Sequence, residues 1–515
     1  MVVGVSKFSS STQISLTASR PAVHDSRCIG AARRGNRPLR PVCAERSSYR
    51  SGGANPGAFV ARTKQGRHSG RNVVTCGPWW YDRLAVSESC LRGHLAKGTA
   101  MAEPAVDAAD FFREARNDLA GPLDGIRVLE VASTWAGPRC ACLLADFGAD
   151  VVKVEQHGSP DVAHRLPPFL AHADPPVSFF DAAVNRNKRN ITLDLKQPAG
   201  RDVFLELARS ADIVVQNYRP GRMAELGCGY EHVRAVKADI IYVSISGYGQ
   251  YGPYARRAGY DPSAQAMSGL MWLNTTGDNP PMKTPIYLAD ELAGLHAALA
   301  ALAALRHRDA HGEGQHIDIS LVDATVASCT GQPTLAAAGL PTPRLGNTYP
   351  FGAPANVYRC CDGWIYAGVL LDTHWVKLSA LMGRPELGTH PDYATIPARV
   401  ARREELDTML ADYCRERARD DVIAAMVDIG LSVEKVLTPA EMVDDPHIQA
   451  RETMQTATQP SGREVRTEAP PAKMSRTPVR IRRPAPPHGV DTDEVLAEAG
   501  FSAERRQALR ARGII

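Results

Sequence analysis

Residues 125–156 read GIRVLEVASTWAGPRCACLLADFGADVVKVEQ. Two valine-rich runs, GIRVLEVAS (125–133) and ADVVKVEQ (149–156), have the length and composition of buried strands. Between them TWAGP reads as a turn, and RCACLLADFG (139–148) as a short helix ending at Gly148. A strand, a helix and a second strand in this rhythm put the two strands parallel in one sheet. The rhythm continues outward. RNITLDL, DIVVQNY (212–218) and DIIYVSISGYG (239–249) are further strands, separated by the helical stretches QPAGRDVFLELARSA and CGYEHVRAVKA. GQHIDISLVDATVASC adds a strand running into a helix. The expected fold class is α/β, with a Rossmann-like parallel sheet covered on both faces. Ligands of such sheets sit at the carboxyl ends of the strands, here TWAGP, QNYRPG and SGYGQYG.

The stretch TPIYLADELAGLHAALAALAAL (284–305) predicts a helix seated on a core through alanine and leucine. Asp290 stands at its start. Aspartate is a preferred cap and first-turn residue, so composition alone favours a capping role. A nucleophilic carboxylate is chemically compatible with that place, and a helix N-terminus would help hold it ionised. Glu291 reads as an ordinary first-turn carboxylate.

The net charge of +4 divides unevenly. Residues 1–100 hold 16 Lys and Arg against 4 Asp and Glu, which leaves 44 against 52 for the rest. The mildly acidic remainder has no footprint for nucleic acid. The basic leader is Arg- and Ser-rich without a sustained period. It reads as an extension or an early start, with Met101 opening a plausible alternative, in preference to a transit segment. No run of 18 apolar residues occurs, so no membrane span is expected. The 11 cysteines form no CxxC pair, which fits small buried side chains in a reducing cytoplasm.

Some chemistries are disfavoured. GYGQYG (247–252) fits a dinucleotide fingerprint, but Pro253 follows at once and no helix is expected behind it. There is no G-x-S-x-G for a hydrolase and no H-E-x-x-H or EF-hand loop, so no metal is expected. The pairs Lys188 with Arg189 and Arg256 with Arg257 read as solvated surface, or as phosphate contacts if they lie beside strand ends. From about residue 330 the texture changes. The expected division is a leader over 1–118, a large domain over 119–330, a linker over 331–344, a smaller α/β domain over 345–440 and a C-terminal segment over 441–515.

From GPLDGIRVLEVASTWAGPRCACLLADFGADVVKVEQHGSPD onward the chain resembles a family III CoA-transferase of the CaiB/BaiF type, the group that holds formyl-CoA and carnitine CoA-transferases. The likeness runs through NRNKRNITLDLKQPAGRD, DIVVQNYRPGRMAELG, GYGQYGPYARRAGYDPSAQAMSGLM and GEGQHIDISLVDA. It returns at GRPEL and at DTDEVLAEAGFSAERRQALRARGII, and so covers about 120–515. It implies that Asp290 attacks an acyl-CoA thioester and carries CoA as an aspartyl thioester to a small carboxylic acid. It implies a CoA thioester as substrate, no permanently bound cofactor, an intertwined homodimer, and a C-terminal segment that returns to the large domain. CoA contacts are implied at Trp135, Ala136, Gln156, Leu193, Lys196, Asn217, Tyr218, Arg219, Gly259, Tyr260 and Asp261. At Gln156 some members have arginine. Glu225 also stands where arginine occurs, and that contact is not carried over. Asp261 is expected to position the acyl group or Asp290. Two alternatives remain open: an α-methylacyl-CoA racemase, whose GHD-like triplet is here Gly259, Tyr260 and Asp261, and a non-catalytic CoA-binding protein. The glycine-rich loop of formyl-CoA transferases has no match in LGNTYPFGAPANVYRCCDG, and GVPCGPV becomes GLSVEKV (430–436).

Overall fold

The computed structural model describes residues 106–515, apart from 171, 172, 174, 175 and 345. Six strands form one parallel sheet: β1 Arg127–Val131, β2 Asp150–Glu155, β3 Lys188–Thr192, β4 Ile213–Gln216, β5 Ile241–Ser246 and β6 Gln315–Ser320. Their spatial order is β3-β2-β1-β4-β5-β6. The chain builds outward from β1 to β3 and then returns to the other side of β1. The helices on either side of that reversal diverge, which opens a crevice at the carboxyl ends of β1 and β4.

Alternation along β1 sends neighbouring residues to opposite faces. Val128 joins Val151, Ile213 and Val243 on one face. That face is covered by α1 (Ala136–Asp146) and, later in the chain, by the alanine row of the long helix. Leu129 and Val131 join Ile191, Val214 and Tyr242 on the other. There α2 (Pro198–Ala208) contributes Val203 and Phe204. Between β5 and β6 lie the short α3 (Asp261–Met267) and the long α4 (Leu288–His311). The C-terminal helices α5 (Thr492–Glu498) and α6 (Ala503–Ala511) bring Leu496, Phe501, Leu509, Ile514 and Ile515 onto the second face.

By length and composition α4 could cross a membrane. Its row Ala289, Ala293, Ala297 and Ala301 is instead fully buried against α1 and the sheet. Gly294 lets it approach closely: a Cβ there would lie 3.0 Å from the Ala136 carbonyl oxygen and 2.9 Å from Arg139 Cγ. On the opposite side Leu295 and Leu299 are exposed.

A second, antiparallel sheet has the order β9-β8-β7, from β7 Ala355–Cys360, β8 Gly363–Gly368 and β9 Ser432–Lys435. Its core includes Tyr358, Ile365, Trp375, Leu410 and Met426. The sequence predicts only the second of these strands. The first is masked by the Pro- and Gly-rich run before it, and a tight hairpin over Cys361 and Asp362 joins the two. A short helix, Gln332–Ala337, interrupts the stretch expected to be a linker.

Candidate active site

The crevice holds a cavity of about 290 Å³. Trp135 and Ala136 line it from the β1 turn, Asn217, Tyr218 and Arg219 from the β4 turn, and Ser246 and Gly247 from the end of β5. Arg257, Gly259, Tyr260 and Asp290 complete the wall. The three turns singled out in the sequence therefore meet at one place, and Asp290 faces it. Gly247 and Gly259 are needed there, because a Cβ on Gly247 would lie 2.6 Å from Gly259 Cα. That close approach accounts for the first glycine of the loop. No helix begins within GYGQYG, so the dinucleotide pattern has no helix N-terminus behind it.

Asp290 is the third residue of α4 and not its cap. The helix N-terminus is satisfied from elsewhere. Asp261, buried at the start of α3, accepts hydrogen bonds through Oδ1 from the amides of Ala289 at 2.7 Å and Asp290 at 3.4 Å. Its Oδ2 accepts from Gln265 Nε2 at 2.7 Å. Asp261 thus fixes the backbone that carries Asp290, and it does not line the cavity. Burial pushes the Asp290 carboxyl up to about 7, and the neighbouring charges of Asp261 and Glu291 add to the effect. Burial and like charge therefore oppose the help toward ionisation expected from the helix N-terminus. Among the described residues no group donates a hydrogen bond to this carboxylate. When ionised it is therefore poorly solvated and reactive.

Glu291 is more than an ordinary first-turn carboxylate. It accepts hydrogen bonds from Trp135 Nε1 at 3.0 Å and Arg139 Nε at 2.7 Å. The residue after the nucleophile candidate thereby ties α4 to the turn that opens α1. Phe180 and Tyr287 pack on the Trp135 ring at centroid distances of 4.6 and 5.5 Å. Only adjacency to Asp290 hinted at this role in the sequence. Asn217 clamps the same turn, accepting from the Ser133 amide at 2.9 Å and donating to the Ser133 carbonyl at 2.8 Å. Its amide is engaged with protein on both sides, so it shapes the cavity wall.

The remaining predicted residues gather next door. Gln156, Leu193 and Lys196 line a smaller pocket that shares Tyr218 with the cavity. Gln156 Nε2 donates to Asp194 at 2.9 Å. Beyond Tyr218 the groove widens to an open mouth with Arg219, Arg222 and Arg256. Glu225 stands in that mouth and pairs with Arg222 at 2.8 Å. Of the basic pairs read in the sequence, Lys188 and Arg189 do not face the groove. Lys188 is fully buried on Glu130 at 2.7 Å, and Arg189 pairs with Asp150 and Glu498.

One cluster resembles a metal site by residue type: Glu155, His164 and His488 lie within 4.8 Å of one another. His164 is committed to ion pairs instead, with Glu155 at 2.9 Å and Asp181 at 3.0 Å. Burial opposes its charge, but hydrogen bonds to Asp181 and Glu155 prevail and raise its pKa to about 10. Both of its ring nitrogens are thus engaged by carboxylates.

The family model for CoA-transferase family III matches residues 123–492. Succinyl-CoA–D-citramalate CoA-transferase of Chloroflexus aurantiacus is 34% identical over 397 residues, covering 76% of this chain and 98% of that one. Succinate–glutarate CoA-transferase of Agrobacterium fabrum is 37% identical over 381 residues, covering 73% and 95%. A crystal structure of a CAIB/BAIF family protein from Brucella suis superposes with a TM-score of 0.67 at 34% identity, covering 74% of this chain and 99% of that one. The chain belongs to CoA-transferase family III. It is an enzyme that passes CoA from an acyl-CoA to a carboxylic acid.

Proposed function

We propose that the transfer runs through an aspartyl-CoA thioester on Asp290. The observation that carries this reading is a half-buried carboxyl with no hydrogen-bond donor among the described residues, facing a cavity where three strand ends meet. In the first step an Asp290 oxygen attacks the acyl thioester carbon. The C–S bond breaks, and CoA thiolate leaves a mixed anhydride. The thiolate then attacks the Asp290 carbonyl carbon, which frees the donor acid and leaves CoA on Asp290. An acceptor carboxylate attacks that thioester and releases the thiolate again from a second anhydride. Attack of the thiolate on the acceptor acyl carbon gives the new acyl-CoA and restores the Asp290 carboxylate. No net proton is consumed, and four easier displacements replace one hard exchange.

Succinyl-CoA is the donor, and a short dicarboxylate the acceptor. The relatives named above act on succinate, citramalate and glutarate. Arg219 and Arg257 line the cavity and offer charge to a second carboxylate. The CoA moiety lies along the groove past Tyr218 toward Lys196 and the arginine-rich mouth. A homodimer completes the reading: Leu295 and Leu299 on α4, with Ile286 and Trp272 nearby in sequence, expose apolar surface that a second copy would cover. The setting is cytoplasmic, which fits the free state of the seven described cysteines.

Incubation with succinyl-CoA followed by hydroxylamine tests the proposal. The peptide carrying Asp290 should gain a hydroxamate. An unmodified Asp290 over a broad thioester panel, with turnover kept in Asp290→Ala, would sink it.

A further inference from the structure

The turn between β1 and α1 is held from behind by buried charge. Thr134 sits at a φ of 68°, a left-handed conformation that a β-branched residue keeps only when its surroundings impose it. Its amide donates to both carboxylate oxygens of Asp161, at 3.1 Å each. On its far side Asp161 takes a hydrogen bond from Lys153 Nζ at 3.1 Å. Lys153 also donates to the Ala132 carbonyl at 2.9 Å and to Glu130 at 2.9 Å. Both members of the strut are buried: Lys153 is 0% and Asp161 8% exposed. The Asp161 amide is itself fixed on Glu155 Oε2 at 3.2 Å. One lysine thus grips both ends of the turn, Ala132 directly and Thr134 through Asp161.

We infer that Asp161, which lies outside the cavity wall, is a positioning residue for CoA transfer. Lys153 and Asp161 hold Thr134 left-handed, so that Trp135 and the first turn of α1 face Asp290. Without the clamp, Thr134 relaxes toward negative φ and swings Trp135 off the wall. The inference rests on Asp290 being the transfer site.

Asp161→Asn keeps the side-chain shape but removes one acceptor oxygen and one of the two carboxylate charges paired with Lys153. In the full chain, with succinyl-CoA as donor, kcat should fall about ten- to a hundred-fold, as for other small misplacements of reacting groups. The KM for succinyl-CoA should move less than about three-fold. Adding Thr134→Gly should recover about ten-fold of the loss, because glycine takes positive φ without a clamp. A wild-type kcat in Asp161→Asn, or a double variant no faster than the single one, overturns the inference. Should Asp161→Asn fail to fold, hydrogen exchange in the unaltered protein decides. The Thr134 amide, read in a peptide spanning 131–138, must be protected, and exchange at the rate of an open loop overturns the inference. If the wild type forms no adduct on Asp290, the functional reading falls and takes this inference with it. An adduct in the wild type with undiminished kcat in Asp161→Asn sinks the inference alone.

Discussion

Asp290 lies within the first turn of α4, whose N-terminal amides are capped by Asp261 from another helix. Freed from capping, its carboxyl is raised to about 7 by burial first and by Asp261 and Glu291 second. Such a carboxyl binds its proton more tightly folded than unfolded. The stability it contributes is present at low pH and is lost as pH climbs from the unfolded value near ~3.9 through the folded one. Asp290→Asn should therefore be more stable than the parent at pH 8, by on the order of 1–3 kcal/mol, with the gap closing near pH 4 in thermal melts. Its turnover should drop by on the order of a thousand-fold or more. In the parent, activity should rise with pH through about 7 as the nucleophile ionises. Glu291→Gln removes one of the two raising charges, so that limb should shift to lower pH. A limb that stays put or moves up would contradict the assignment of Glu291 as a neighbour that holds the proton on Asp290. The place of Asp290 on the cavity wall was legible because the motifs around it keep their order. The cap was not, because Asp261 lies 28 positions before the Ala289 amide it accepts from, and nothing local marks the contact.

At the scale of elements, α1 and α4 set the distance between Trp135 and Asp290. Their contact depends on Gly294, where any Cβ would meet Arg139 and the Ala136 carbonyl. Gly294→Val should cost about 1–3 kcal/mol in denaturant unfolding, as overpacking does. It should also lower kcat more than it raises KM, since the first turn of α4 is displaced from the β1 turn. Equal losses in both would place the contact outside the reacting geometry. The strands and helices of the parallel sheet were readable because buried parallel strands are continuous apolar runs with helical stretches between them. The β7 strand was not, because Pro and Gly before it mimic a linker. Also unreadable was the ion network of Glu130, Lys153, Asp161 and Lys188, whose members sit in strands and loops far apart in sequence.

Over the whole molecule, the two faces of one sheet serve different ends. The face under α1 and α4 carries the cavity and Asp290, and the other is closed by the C-terminal helices. Leu496, Phe501, Ile514 and Ile515 are nearly inaccessible against that second face. Each contributes about 1.5–3 kcal/mol on burial, so together they approach the whole margin of a folded domain. A chain ending at residue 491 should accumulate as insoluble or unfolded protein. A soluble, active truncation would show that the sheet closes without its C-terminal helices. Which atoms change partners in the transfer can be followed with an oxygen isotope. With an acceptor acid labelled in both carboxylate oxygens by heavy oxygen, the second anhydride shares one labelled oxygen with Asp290. When the new acyl-CoA leaves, that oxygen should remain on Asp290, detected in the mass of its peptide. Product formed from labelled acceptor with no label on Asp290 would contradict the account.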